Sequence, residues 1–103
     1  MMRFFWLIGL LSLSVRAENI SPQRQQELLN MLKHDCGSCH GLPPKGGLGP
    51  SLLPDDLAGK NDAVLLGAIQ NGRSGTAMPA WKPFLTVDET VWMIAQLRQG
   101  LVR

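Results

Sequence analysis

Five consecutive residues, Cys36-Gly37-Ser38-Cys39-His40, constrain this chain more than any other stretch. Two thiols stand three positions apart, and an imidazole follows directly. No other cysteine exists in the chain, so no thiol is left over for a separate disulfide or a second site. A redox dithiol of the thioredoxin kind needs a strand-helix-strand setting, and no strand pattern lies near Cys36. A zinc site needs four protein ligands. Only His34 and His40 are available to join the two cysteines, and His34 stands two residues before Cys36, which is not a usual zinc spacing.

One reading uses all three side chains at once. C-x-x-C-H is the attachment signature of covalent haem. The two thiols add across the vinyl groups of the porphyrin as thioethers, about one helical turn apart. His40 is then placed beneath the iron as proximal ligand. One haem c per chain is expected.

The first seventeen residues read as a leader and not as part of the fold. Met1-Met2-Arg3 is a short basic start, Phe4 to Val15 is apolar, and Val15-Arg16-Ala17 ends in a small residue. This is the pattern of a secretory signal peptide, with cleavage expected after Ala17. The apolar run is short for a membrane span, so no stable insertion is expected once it is removed. The domain proper is then residues 18–103, exported to the periplasm. Without Arg3 and Arg16 it keeps eight basic and eight acidic side chains. A neutral chain with no Lys/Arg stripe is a poor partner for nucleic acid.

Such a length permits one small domain with little core of its own. A haem would supply the missing apolar body and make the cofactor structural as well as functional. A first helix is predicted from Ser21-Pro22, serine being a good N-cap and proline suiting the first helical position. Leu28, Leu29 and Leu32 recur at helical spacing and should face inward. Met31 reads as packing and His34 as a surface residue. From Gly41 to Pro54 the chain alternates glycine with proline, which excludes helix and central strand. Glycine there permits close backbone approach to the haem edge. A carbonyl from Gly49-Pro50-Ser51-Leu52 is suitably placed to accept the proton on the free nitrogen of His40.

A second helix is predicted from Asn61-Asp62 through Val64, Leu65, Ala68 and Ile69 to a stop at Gly72. Its apolar face should be haem-pocket wall. Met78-Pro79 follows in a loop. Met78 is the preferred second axial ligand, because it is remote enough from His40 to come round the haem and is locked by the next proline. Met93 competes, but it falls in a predicted helix and reads as core. That last helix starts at Thr86-Val87-Asp88-Glu89, a capping box, and carries Thr90, Ile94, Leu97 and Leu101 on one face, packed on the first helix. Trp81, Phe84 and Trp92 read as core, with Trp81 also able to border the haem and bond a propionate through its indole.

The motif, Gly49-Pro50-Ser51-Leu52, Met78-Pro79 and the capped terminal helix together resemble a class I c-type cytochrome over Ser21 to Gly100. That resemblance implies an all-α class I cytochrome c fold, with three to four helices round one haem and the first and last helices crossed. It implies thioethers at Cys36 and Cys39, His40 and Met78 on the iron, and the Pro50 carbonyl on His40. Within the class, Met78-Pro-Ala-Trp81-Lys-Pro-Phe-Leu85-Thr and Glu89 with Trp92-Met93-Ile94 are similar to the small cytochromes c-55X (NirC-type). These are encoded with the haem d₁ nitrite reductase of denitrifying bacteria. Many class members place an aromatic near Gln96; here it is Trp92.

The resemblance implies a monomeric, periplasmic one-electron carrier and not an enzyme, with nitrite reductase as partner. Two alternatives lie beside it: an accessory role in haem d₁ maturation or delivery, and electron supply to another periplasmic reductase or oxidase. A haem enzyme or gas sensor would require Met78 to be absent from the iron. Around the expected haem edge, Leu42, Ala77, Pro79 and Ala80 suggest a small apolar contact, with Lys45, Arg73 and Lys82 as a thin basic rim.

Overall fold

The computed structural model describes residues 20–100. The expected leader, residues 1–17, lies outside them, as does Leu101. Among the described residues every regular element is helical.

Helix α1 spans Pro22–Met31. Ser21 caps it, its hydroxyl accepting a hydrogen bond from the Arg24 N–H at 3.1 Å, and Pro22 takes the first position, where no N–H is needed. The chain does not stop at Met31. It widens into a π-helical turn over Leu32–Cys36 and tightens again as α2, Gly37–His40. The widened turn changes the phase of everything beyond it relative to the leucine face of α1.

The glycine–proline stretch is irregular as far as Leu53, and a helix opens at its last residue. Pro54–Leu57 forms the single turn α3. Pro54 begins this turn rather than breaking it, because a proline at the first helical position forfeits no hydrogen bond. The turn buries Leu57 in the core.

Helix α4 spans Asp62–Asn71. The Asn61 side chain caps it by accepting from the Val64 N–H at 2.9 Å. Helix α5 spans Val87–Arg98. Its capping box is complete: the Thr86 hydroxyl accepts from the Glu89 N–H at 3.0 Å, and the Glu89 carboxylate accepts from the Thr86 N–H at 3.0 Å.

α5 is the element the others share, packing on α1, α3 and α4. Ile20, Leu28, Leu32, Leu57, Leu85, Met93 and Leu97 form one buried cluster. Ile94 and Thr90 of α5 are buried beside it. Met93 is therefore core, 1% exposed.

Three polar knots hold this small core. Arg98, at the end of α5, donates to Asp62 Oδ1 at 2.9 Å, to the Leu57 carbonyl at 3.0 Å and to the Lys60 carbonyl at 2.6 Å. The buried Gln70 amide, at the end of α4, donates to the Leu85 carbonyl at 3.0 Å and to Thr90 Oγ1 at 2.8 Å. Arg24 of α1 grips Glu89 with two nitrogens, at 2.8 and 3.2 Å. It also donates to the Phe84 carbonyl at 3.1 Å.

The last knot has a pH signature. Hydrogen bonding from Arg24 holds the Glu89 carboxyl below its ordinary value near 4.5, with smaller help from Thr86 and against the opposing effect of burial. Between the two values the unfolded chain binds a proton that the folded chain does not. The stabilisation is therefore full above about pH 4.5 and is lost as pH falls through the folded value. At neutral pH, Glu89→Gln should destabilise the haem-loaded protein by on the order of 1 kcal/mol. Urea unfolding at a series of pH values should show that gap narrowing as pH falls below about 4.5. A gap that stays constant would place the contribution of Glu89 in packing instead.

Candidate haem site

Cys36 closes the π-helical turn, and Cys39 and His40 stand in the short helix that follows. Both cysteines are free thiols and partly exposed. Ser38 stiffens the turn between them by donating to the Asp35 carbonyl at 2.8 Å. Burial, then the neighbouring charges of Asp35 and Cys39, push the Cys36 thiol up to about 11. It is thus a neutral thiol at physiological pH.

After His40 the chain reverses at Gly41 and folds back over the motif. The carbonyls at the end of α2 find their partners in this loop: Gly46 N–H reaches the His40 carbonyl at 2.8 Å, and Gly49 N–H reaches that of Cys39 at 2.9 Å. The second contact lays the backbone of Gly49 flat on the imidazole. A Cβ at Gly49 would stand 2.5 Å from His40 Cε1 and 2.7 Å from Nδ1, closer than any side chain tolerates. The next carbonyl then meets the ring in plane, with His40 Nδ1 2.7 Å from the Pro50 oxygen.

A carbonyl can only accept, so Nδ1 carries the proton and Nε2 presents a lone pair. Among the described residues Nε2 has no hydrogen-bond partner. Ser51 fixes the far side of the loop, donating to Asp56 Oδ2 at 2.6 Å.

Met78 stands in the loop between α4 and α5 and is half-buried. The loop begins at Gly72, whose φ of +72° ends α4. A side chain here would collide with the returning strand of the loop, since a Cβ would lie 2.8 Å from the Met78 carbonyl oxygen. Two backbone bonds then fasten the loop's exit to the end of α4: Trp81 N–H to the Ile69 carbonyl at 2.9 Å, and Lys82 N–H to that of Gln70 at 3.1 Å.

Trp81 is half-buried against the core, its ring edge-on to Phe84 with centroids 5.9 Å apart. The structure thus joins His40 to Pro50 directly and holds Met78 and Trp81 together on a separate loop. His34 is exposed. Among the described residues, no three His, Cys, Asp or Glu side chains are grouped to hold a metal by themselves.

This donor set fits haem c. It offers two thiols at attachment spacing and a buried imidazole with its outer nitrogen open. A thioether sulfur stands on a pinned loop. Apolar side chains border the same core without being covered by protein: Cys36, Leu52, Leu65, Ile69 and Trp81 are only partly buried, and Val64 of α4 and Leu42 and Leu48 of the motif loop are exposed. A separate groove lies elsewhere. It is about 540 Å³, is lined by Arg24, Gln70, Glu89 and Lys82 to Val87, and contains no motif residue.

Contacts that sequence reasoning missed are Gln70, the Arg24–Glu89 pair and the Thr76 hydroxyl. The first two link positions far apart in sequence, and the third bonds its own near neighbours.

Comparison with known proteins places the chain among haem proteins. A family model described as cytochrome c oxidase, cbb3-type, subunit III, matches residues 23–97. Cytochrome c55X of Pseudomonas aeruginosa is 42% identical over 83 residues, covering 81% of this chain and 70% of that protein. Cytochrome c55X of Paracoccus denitrificans is 42% identical over 93 residues, 90% of each chain. A solved structure of a c-type cytochrome NirC superposes with a TM-score of 0.75 at 42% identity, covering 78% of this chain and 94% of that one.

Proposed function

This chain belongs to the class I c-type cytochromes and is an electron carrier of that family; from that membership we propose that it works in the periplasm, passing single electrons to the haem cd₁ nitrite reductase. One observation carries the assignment of the site: the buried His40 ring lies under Gly49 with its Nδ1 on the Pro50 carbonyl at 2.7 Å, in the same helical end as Cys36 and Cys39.

When bound, haem c supplies a one-electron ferrous/ferric couple. Cys36 and Cys39 would hold it as thioethers. His40 donates its Nδ1 proton to the Pro50 carbonyl, which fixes the tautomer and leaves Nε2 as the nitrogen that would bind the iron. Met78 would supply a sulfur ligand, and a thioether ligand raises the potential. Both donors are anchored through their backbones, so little of the protein has to move on electron transfer. With two protein ligands in place no position is left for a substrate, which supports a carrier over an enzyme. Leu42, Leu48 and Val64 are exposed and form the apolar border from which the haem edge is approached. Trp81, next to that loop, is suited to a propionate contact.

The relationship to the c-55X group supports this partner, and the leader sequence supports export, with residues 18–103 as the mature domain. The deciding experiment mixes the reduced haem-loaded protein with purified oxidised cd₁ nitrite reductase in a stopped-flow instrument. Rapid, salt-dependent reoxidation of this protein matched by reduction of the enzyme is expected. Reoxidation no faster than with an unrelated oxidised haem protein would overturn the partner assignment while leaving the carrier class intact.

A further inference from the structure

We propose that Thr76 is a positioning residue for Met78, its hydroxyl acting as the latch that holds the ligand loop in its working shape. This rests on the reading of Met78 as an iron ligand and goes beyond it. The Thr76 hydroxyl donates to the Arg73 carbonyl at 2.7 Å and accepts from the Met78 N–H at 3.2 Å. The Met78 carbonyl in turn accepts from the Arg73 N–H at 3.2 Å. Both backbone polar groups of Met78 are thus satisfied inside the loop, one of them through a side chain.

The neighbours leave few other restraints. Gly75 has a φ of +77° and open space within 4 Å of the place where its Cβ would be, and beside the hydroxyl only the Thr76 N–H bond to the Arg73 carbonyl, at 3.1 Å, closes the tip. Ala77 is exposed and has only a methyl group. Pro79 restricts the backbone of Met78 but donates no bond. Thr76 is the one side chain between Gly72 and Met78 that ties the two arms of the loop. The arms hold at Arg73 and Met78, and the hydroxyl spans them.

A bond between a neutral thioether and ferric iron is weak enough for an external base to compete with it. The conformational cost of letting Met78 swing out sets how easily that happens. Without the hydroxyl, the Met78 N–H turns to solvent and the loop's open form costs less. Thr76 is exposed, so valine, its near isostere, removes the hydroxyl without a steric penalty.

The test titrates imidazole into the ferric haem-loaded protein and follows loss of the sulfur-to-iron absorption band. Thr76→Val should bind imidazole about tenfold more tightly than the parent, the scale of one net hydrogen bond, with little change in thermal melting. Thr76→Ser keeps the hydroxyl and should restore the parent affinity to within a small factor. Equal imidazole affinity of parent and Thr76→Val overturns the proposal. So does a Thr76→Ser variant as weakened as Thr76→Val, because the methyl group would then be responsible. Met78→Ala separates the two levels: if it keeps the sulfur–iron band, the ligand reading itself falls. If it loses the band while Thr76→Val matches the parent, only the latch falls.

Discussion

Cys36→Ala combined with Cys39→Ala is expected to give a chain with little stable structure. Eight hydrophobic side chains are buried among the described residues. A single core in a domain of about 80 residues or fewer rarely supplies more than about 3–5 kcal/mol. Several apolar side chains at its margin remain partly or wholly uncovered by protein. In the proposed site, thioethers at Cys36 and Cys39 would bring the missing apolar body and tether it to the end of the first helical segment. Without them the polar knots of Arg24, Gln70 and Arg98 are left to hold helices whose shared face is incomplete. Far-ultraviolet circular dichroism of the haem-free double variant should show most of the helical signal gone and no cooperative melt. A sharp thermal transition from native-like helix content would mean that the polypeptide core suffices, and that the haem is a passenger.

Met78→Ala should change the chemistry and leave the fold in place. Only the side chain departs, while the backbone bonds of the loop to Arg73, Ile69 and Gln70 remain. The ferrous protein is expected to bind carbon monoxide, the whole sulfur–iron band of the ferric form should vanish, and the potential should fall. Met93→Ala is the matched control, because Met93 is the thioether that competes with Met78 for the role and is 1% exposed in α5. It should cost about 2–5 kcal/mol of stability through the cavity it leaves, with the band and the potential unchanged. The reverse outcome, in which Met93→Ala alone removes the band, would exchange the roles of the two methionines.

What was legible in the sequence was local or periodic. Ser21-Pro22, Asn61 and Thr86 with Glu89 announce helix starts because the capping partner is two or three residues away. Leu28 and Leu32, and Thr90, Ile94 and Leu97, announce a buried face because helical spacing repeats. Gly49 could be read as a close approach, though the surface it approaches, the ring of His40, appears only in three dimensions. The π-helical turn at Leu32–Cys36 has no compositional mark; it differs from an ordinary turn only in which carbonyl each N–H chooses. The glycine–proline stretch was legible as irregular up to Leu53, whereas the turn that opens at Pro54 was not, because proline both ends and begins helices. Arg24 and Glu89 are 65 positions apart. Gln70, a polar residue at the end of an apolar helix, reads as solvent-facing until its partners at Leu85 and Thr90 are seen.

The two bonds from Trp81 and Lys82 back to Ile69 and Gln70, at 2.9 and 3.1 Å, do more than steady a ligand. They bring the entrance and exit of the methionine loop to one place, so the segment between is a cassette closed at its base. The helices on either side do not register how long that cassette is. Lengthening such a loop is thermodynamically mild, with each doubling costing about 0.6 kcal/mol in closure entropy. The segment around Met78 can therefore change in length while the scaffold keeps the same clasp.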